Sequence, residues 1–235
     1  MDLSGNVYFG AASHRLASAT LSGGHSDSAL ATHAELDGSY GDSEGERKGV
    51  DVWRVTVRDA RLRARATLRP YARLSAFVAG SDESNFQEAI ADRVSGRVGA
   101  VYGLWRPPSP TPASRFAQYA NLNLALVTEH TRALDPAGAR GAGGRTRVSL
   151  GTQMHYLLPA GVRLSHETSY EAAVGGCSGP AKCYVIETST GLGVPLAKRT
   201  EFTATLQDRY DSEARLRTAR SNTDGRVLFG VRVGL

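Results

Sequence analysis

The chain has 235 residues, 41% of them hydrophobic and 22% charged, with 26 glycines, 9 prolines, 2 cysteines and 7% aromatic residues. That length suits one domain or one barrel, and the composition excludes collagen and intrinsic disorder. The densest apolar stretch, Leu122 to Val127, is broken by Asn123; it falls well short of the roughly 18 to 20 apolar residues of a spanning helix, whereas spanning strands stay open. The formal charge is +5 with arginine well ahead of lysine, but the arginines are interleaved with acids along the whole chain, which speaks against nucleic-acid binding.

From the N-terminus onward the dominant period is two. Strands are expected near 3–12, 15–23, 27–41, 50–68, 71–81, 89–106, 114–131, 145–158, 161–175, 183–195, 199–212 and 223–235. Within 50–68, Leu62, Ala64, Ala66 and Leu68 alternate with Arg61, Arg63 and Arg65, and the apolar phase slips between Val57 and Ala60, the mark of a bulge or a turn. Val94, Val98, Ala100, Tyr102 and Leu104 alternate with Arg93, Ser95, Arg97 and Gly99. Val148, Leu150, Thr152, Met154, Tyr156 and Leu158 face away from Ser149, Gly151, Gln153 and His155, and Tyr184, Ile186, Thr188, Thr190 and Leu192 away from Glu187, Ser189 and Gly191. The last strand sets Val227, Phe229, Val231 and Val233 against Arg226, Gly230, Arg232 and Gly234.

Connections alternate in length. Short ones at 69–70, 158–161 and 195–198 interleave with longer polar ones at 42–49, 82–88, 132–144, 176–182 and 213–222; the proline run Pro107 to Pro112 lengthens one of the short side. Short turns at one end, long loops at the other and both chain ends on the short side give an all-β fold, a transmembrane up-and-down antiparallel barrel of about 12 strands, as one domain over 1–235. A soluble calycin-like binding barrel is the rival fold, and it would turn its apolar faces inward. Twelve strands closed that way need a bulky filling, which so few aromatics and so many alanines do not supply. Tyr71, Trp105, Phe116 and Tyr156 sit near strand ends, where a membrane girdle lies.

Cys177 and Cys183 bracket a turn-rich segment that closes a small disulfide loop in an oxidising compartment, or else they are two free thiols. Met1-Asp2-Leu3 leads straight into patterned sequence, so either the chain is cytoplasmic or an export leader has been replaced by Met1.

The C-terminal third carries Gly191-Leu192-Gly193-Val194-Pro195-Leu196 with Lys198-Arg199, then Leu206-Gln207-Asp208-Arg209-Tyr210-Asp211-Ser212, then Thr223-Asp224 before the last strand. These motifs resemble the salt-induced outer-membrane protein family (YdiY-like), and Ser4 to Gly10 and Gly96 to Leu104 fit it more loosely. The motifs cover about 45 residues. The resemblance implies an outer-membrane β-barrel with no assigned chemistry. The chain departs from it in ending on Leu235 rather than an aromatic, in the basic stretch from Glu213 to Arg220, and in its cysteine loop.

An outer-membrane lipid hydrolase or deacylase would call for His-x-Ser on one strand face. Here His25 precedes Ser26 directly and reaches Ser28 only at i+3, while Ser165 and His166 are adjacent and so face opposite ways. No catalytic residues, metal site or cofactor are expected. The polar faces instead predict a charged lumen lined by Arg61, Arg63, Arg65, Arg93, Arg97, Arg163, Glu167, Glu171, Glu187, Glu201, Arg209 and Arg232, which either conducts or knits shut by pairing across the barrel. Basic loops at 132–147 and 215–220 are expected to face outer-membrane lipid and lipopolysaccharide. The expected function is a small passive, porin-like channel or a structural envelope protein in the bacterial outer membrane, with periplasmic termini and small solutes or ions as cargo.

Overall fold

The computed structural model describes residues 2–9, 14–47, 50–86, 89–105, 118–134, 143–175, 183–213 and 222–234. Among them are twelve strands: β1 (Asp2–Phe9), β2 (His14–Ser26), β3 (Leu30–Arg47), β4 (Val50–Leu68), β5 (Leu74–Asn85), β6 (Ile90–Trp105), β7 (Tyr119–Ala133), β8 (Gly143–Leu157), β9 (Arg163–Ala173), β10 (Tyr184–Ala197), β11 (Thr200–Asp211) and β12 (Thr223–Gly234). Each pairs antiparallel with its sequence neighbours, and β1 pairs with β12 from Ser4↔Gly234 to Tyr8↔Gly230, closing the ring. Closure leaves no open sheet edge, which is what lets strands cross a bilayer with every ladder hydrogen bond made.

The short-turn end is built from local chemistry. Between β2 and β3, the Asp27 carboxylate accepts the backbone N–H groups of Ala29 (2.7 Å) and Leu30 (2.8 Å), an Asx turn that needs no glycine. After β4 the chain reverses at Arg69 and Pro70, with Arg69 at φ 48°. Between β8 and β9, Pro159–Gly161 form a single 3-10 turn in which Ala160 and Gly161 take positive φ. The start of β1 and the end of β12 lie at this same end.

Two connections are shorter than the sequence suggested. The residues expected as a polar loop at 42–49 instead extend the β3–β4 hairpin, paired from Leu30↔Leu68 up to Arg47↔Val50. Polar, glycine-bearing residues satisfy a ladder that projects into water as well as they satisfy a loop, so composition could not separate the two. Likewise β5 runs on to Asn85, absorbing half of the loop expected at 82–88. The irregularity in β4 lies just before the expected slip at Val57 to Ala60, which pair without interruption: Gly41 pairs with Val57 and Asp42 with Val55, leaving Thr56 as the extra residue. The proline run and Phe116 lie outside the described residues.

The outer wall is apolar. Val98 is 60% exposed and Leu124 55%, and Leu36, Leu62, Val78, Val148, Leu206 and Phe229 are exposed as well. Aromatic side chains gather toward both rims. Trp105 stacks on Tyr156 at 6.1 Å near the short turns, and Tyr170, Tyr184 and Tyr210 form a ladder at 5.8 and 5.5 Å near the long connections. Tyr71 also lies exposed at the short-turn end. Alternate residues of the same strands are buried and polar or charged, among them Ser95, Ser149, Thr203 and Glu171. The faces are therefore inverted relative to a water-soluble barrel, which removes the calycin-like alternative.

Candidate functional site

The strand pleat turns all twelve side chains singled out in the sequence into the lumen, because each shares its face with buried neighbours and alternates with the lipid-side row. Once inside, most are paired. Near the long-connection end, Arg93 on β6 donates to Asp211 on β11 (3.1 Å) and lies 3.7 Å from Glu83 on β5. Arg209 on β11 donates to both oxygens of Glu83 (3.0 and 3.2 Å) and pairs with Glu187 on β10 (3.0 Å). Glu187 in turn lies 3.6 Å from Arg61 on β4. In a ring of twelve, β5 and β11 are diametrically opposed, so the Arg209–Glu83 contact crosses the full width of the barrel.

Beside this lattice, Arg97 pairs with Glu171 at 2.7 Å, and Arg63 on β4 bridges Glu35 and Asp37 on β3, reaching Asp37 at 2.9 Å. Thr20 on β2 donates to Asp37 in turn. Toward the short turns, Arg163 pairs with Glu201, which also lies 3.7 Å from Arg232. Among the described residues Arg65 makes no carboxylate contact of this kind; its guanidinium stacks 4.0 Å above the ring of Phe77, a cation–π arrangement inside the barrel. Phe77 packs with Val101 and Ala125 on the lumen wall and rests over Gly99, where an added Cβ would meet the Phe77 ring at 2.8 Å. Glu167 faces an open polar cavity. His155 also points inward, 5.7 Å from the ring of Tyr119.

Several members of the lattice lay outside the predicted lumen set. Arg145 and Arg147, counted in the outer basic loop 132–147 although the expected strand 145–158 also contained them, belong to β8 and are buried in the lumen. Arg147 is 1% exposed, donates to Glu129 on β7 (2.8 Å) and to Glu213 (3.2 Å), and Arg145 also pairs with Glu213. These charges are thus not available to lipopolysaccharide; of the expected loop, Arg132 is the exposed cation among the described residues, 3.9 Å from Asp92. Glu35, Asp37, Glu83, Glu129 and Asp211 share the inward parity of the predicted arginines, and parity was the signal that would have found them. Residues 215–220 lie outside the described residues.

The lattice does not fill the barrel. A cavity of about 440 Å³ remains along the wall formed by β2 to β5 and β9 to β12, bounded by Glu35, Asp37, Arg61, Glu167, Gln207 and Arg209. At the long-connection end Ile90, Val127 and Val185 are buried, with Val127 in register with Arg147 and Val185 with Asp211. Cys183 is buried there and disulfide-bonded, while Cys177 lies outside the described residues. Ser165 and His166 occupy opposite faces of β9: Ser165 borders the lumen cavity and His166 bonds to Thr190 on the outer wall. No group of three or more metal-ligating side chains occurs among the described residues.

A closed antiparallel barrel with an apolar exterior, aromatic rims and an ionic interior defines a transmembrane β-barrel of the outer-membrane type. Solved structures similar to it include the KdgM porin (TM-score 0.47, 11% identity, covering 100% of this chain and 99% of that one). Others are a bacterial polysaccharide outer membrane secretin (TM-score 0.47, 8% identity, 100% and 96%) and the translocator domain of the autotransporter NalP from Neisseria meningitidis (TM-score 0.45, 11% identity, 99% and 85%). No family model and no curated protein matches the chain.

Proposed function

We propose that the protein is a narrow passive channel of the bacterial outer membrane for small ions or polar solutes, with both termini periplasmic and the long connections outward. The observation that carries this reading is the polar cavity of about 440 Å³ left inside the wall beside the Arg–carboxylate lattice. A barrel built only to be a sealed strut gains nothing from keeping a hydrated, charge-lined space, because buried ionic groups stabilise less than the apolar filling that could replace them. The lattice then acts as the constriction, and carboxylates facing arginines through most of the lumen make the ion preference mild rather than absolute. The salt-induced outer-membrane family is the one we propose for the chain, on the Val194-Pro195-Leu196, Arg209-Tyr210-Asp211 and Thr223-Asp224 motifs.

Single-channel recording of the refolded protein in planar bilayers under a salt gradient tests the proposal. Discrete small steps are expected, with a reversal potential displaced from zero. Replacing Arg61, Arg63 and Arg65 together by Gln is expected to move that potential toward cation preference. A protein shown to be inserted and folded but electrically silent would overturn the channel reading in favour of a structural envelope role.

A further inference from the structure

The lipid-facing wall is interrupted on one side. Across the middle of β8, β9 and β10 its outward positions include Thr152, His166, Thr168, Thr188 and Thr190, set between the exposed aliphatic Leu150 and Ile186 on one side and Leu192 on the other. The polar side chains form one connected patch. Thr152 pairs in register with Thr168, and Thr168 with Thr188. His166 bonds through Nδ1 to the Thr190 hydroxyl (2.9 Å) and through Nε2 to the Thr168 hydroxyl (3.0 Å), and Thr168 lies 3.5 Å from Thr188.

Depth makes the patch costly. Thr152 and Thr168 each stand five residues inside their strands, counted from Leu157 and from Arg163 at the turn joining β8 to β9. Five residues at about 3.3 Å along a strand tilted by about 40° lie roughly 13 Å above that turn, the middle of an apolar band about 25 Å tall. At comparable depth the other strands present Leu62, Val78, Val98, Leu124, Leu206 and Phe229, all exposed. The internal bonds engage both nitrogens of His166, but each hydroxyl oxygen keeps acceptor capacity that acyl chains cannot meet.

We propose that this face of β8–β10 is a contact surface within the membrane for a second copy of the same chain, in a two-fold arrangement. The chemistry selects a like partner. Threonine hydroxyls donate and accept, and the His166 ring is held between Thr190 and Thr168, so the patch is complementary to itself; the charge nearest to it is the exposed Asp208 on its β11 edge, in register with Thr188. Small threonine side chains also let two walls approach closely, as small and hydroxylated residues do between membrane helices. The pairing leaves the lumen of each barrel untouched and is independent of whether the lumen conducts.

The oligomeric state of the full chain in lipid nanodiscs or vesicles, read by single-molecule photobleaching across a range of protein-to-lipid ratios, tests this. A monomer–dimer equilibrium is expected. The variant carrying His166→Leu, Thr168→Val and Thr190→Val, which adds only apolar surface on the lipid side, is expected to raise the dimer dissociation constant at least about 10-fold, a difference of about 1.4 kcal/mol. Thr168→Cys is expected to give a covalent dimer with a short thiol-specific crosslinker, whereas Val98→Cys on β6 is not. A wild type that stays monomeric at every ratio would overturn the proposal, as would a dimer indifferent to the triple variant or a crosslink that forms equally from Val98→Cys.

Discussion

Arg147 gives the sharpest energetic test of the lumen lattice. It is 1% exposed, and its guanidinium holds Glu129 at 2.8 Å and Glu213 at 3.2 Å. The substitution Arg147→Met keeps the stem and removes the charge. Glu213 retains Arg145, so the carboxylate that loses its ion-pair partner is Glu129, itself buried and opposite Arg145 in the ladder. Two unit charges about 4 Å apart attract by about 4 kcal/mol at an effective dielectric of about 20, and removing one partner of a buried pair commonly costs about 3–5 kcal/mol. With part of the loss absorbed by relaxation, Arg147→Met is expected to lower unfolding free energy by about 3 kcal/mol. Adding Glu129→Gln should return most of it, leaving a net loss of about 1 kcal/mol. The assay is urea unfolding of the barrel refolded in vesicles, followed by the fluorescence of Trp53 and Trp105. Arg132→Met is the control: Arg132 is 72% exposed and 3.9 Å from Asp92, so a loss under about 0.5 kcal/mol is expected. Equal effects of Arg147→Met and Arg132→Met would refute the burial on which the lattice rests.

Other consequences follow from single contacts. Glu83→Ala removes the cross-lumen bridge, leaving Arg209 on Glu187 and Arg93 on Asp211, and is expected to enlarge the unitary conductance in planar bilayers; an unchanged step would remove this bridge from the constriction. Gly99→Ala drives a Cβ to 2.8 Å from both Ala125 and Phe77, so the strand should lose about 1–3 kcal/mol by overpacking, readable in the same urea titration. The backbone N–H of Leu30, then that of Ala29, holds the Asp27 carboxyl below its ordinary value, with His25 a smaller contributor. A depressed carboxyl stabilises above its unfolded pKa, about 3.9, and the contribution is lost as pH falls through the folded pKa. Asp27→Ala is therefore expected to be less stable than wild type at pH 7 and to converge with it in strong acid; a gap independent of pH would contradict the turn's role.

Period-two alternation was enough to read the strand count, the side on which the turns are short and the inward direction of the arginines it singled out, because a strand has only two faces and one must meet lipid. The pairing partners were not legible. Glu83 meets Arg209 across 126 positions of sequence, and that contact depends on barrel closure, which no local pattern encodes. Arg145 and Arg147 fell inside the expected strand 145–158, in phase with Ser149, yet were counted with the basic loop 132–147 because the glycine-rich stretch leading into them looks like loop; β8 begins there, at Gly143. The β3–β4 hairpin was underestimated for a related reason: outside the bilayer a strand no longer needs an apolar face, so alternation fades while the ladder continues.

The central claim is that the two faces of the wall are inverted, with lipid outside and a polar lumen inside. Leu206 and Gln207 are adjacent on β11, Leu206 exposed on the outer wall and Gln207 bordering the lumen cavity. A small environment-sensitive fluorophore placed on Leu206→Cys and, separately, on Gln207→Cys in the vesicle-inserted protein decides the matter. The predicted result is quenching of the Leu206 probe by brominated acyl chains and of the Gln207 probe by aqueous iodide. The opposite pattern, or iodide reaching both probes equally, would contradict it.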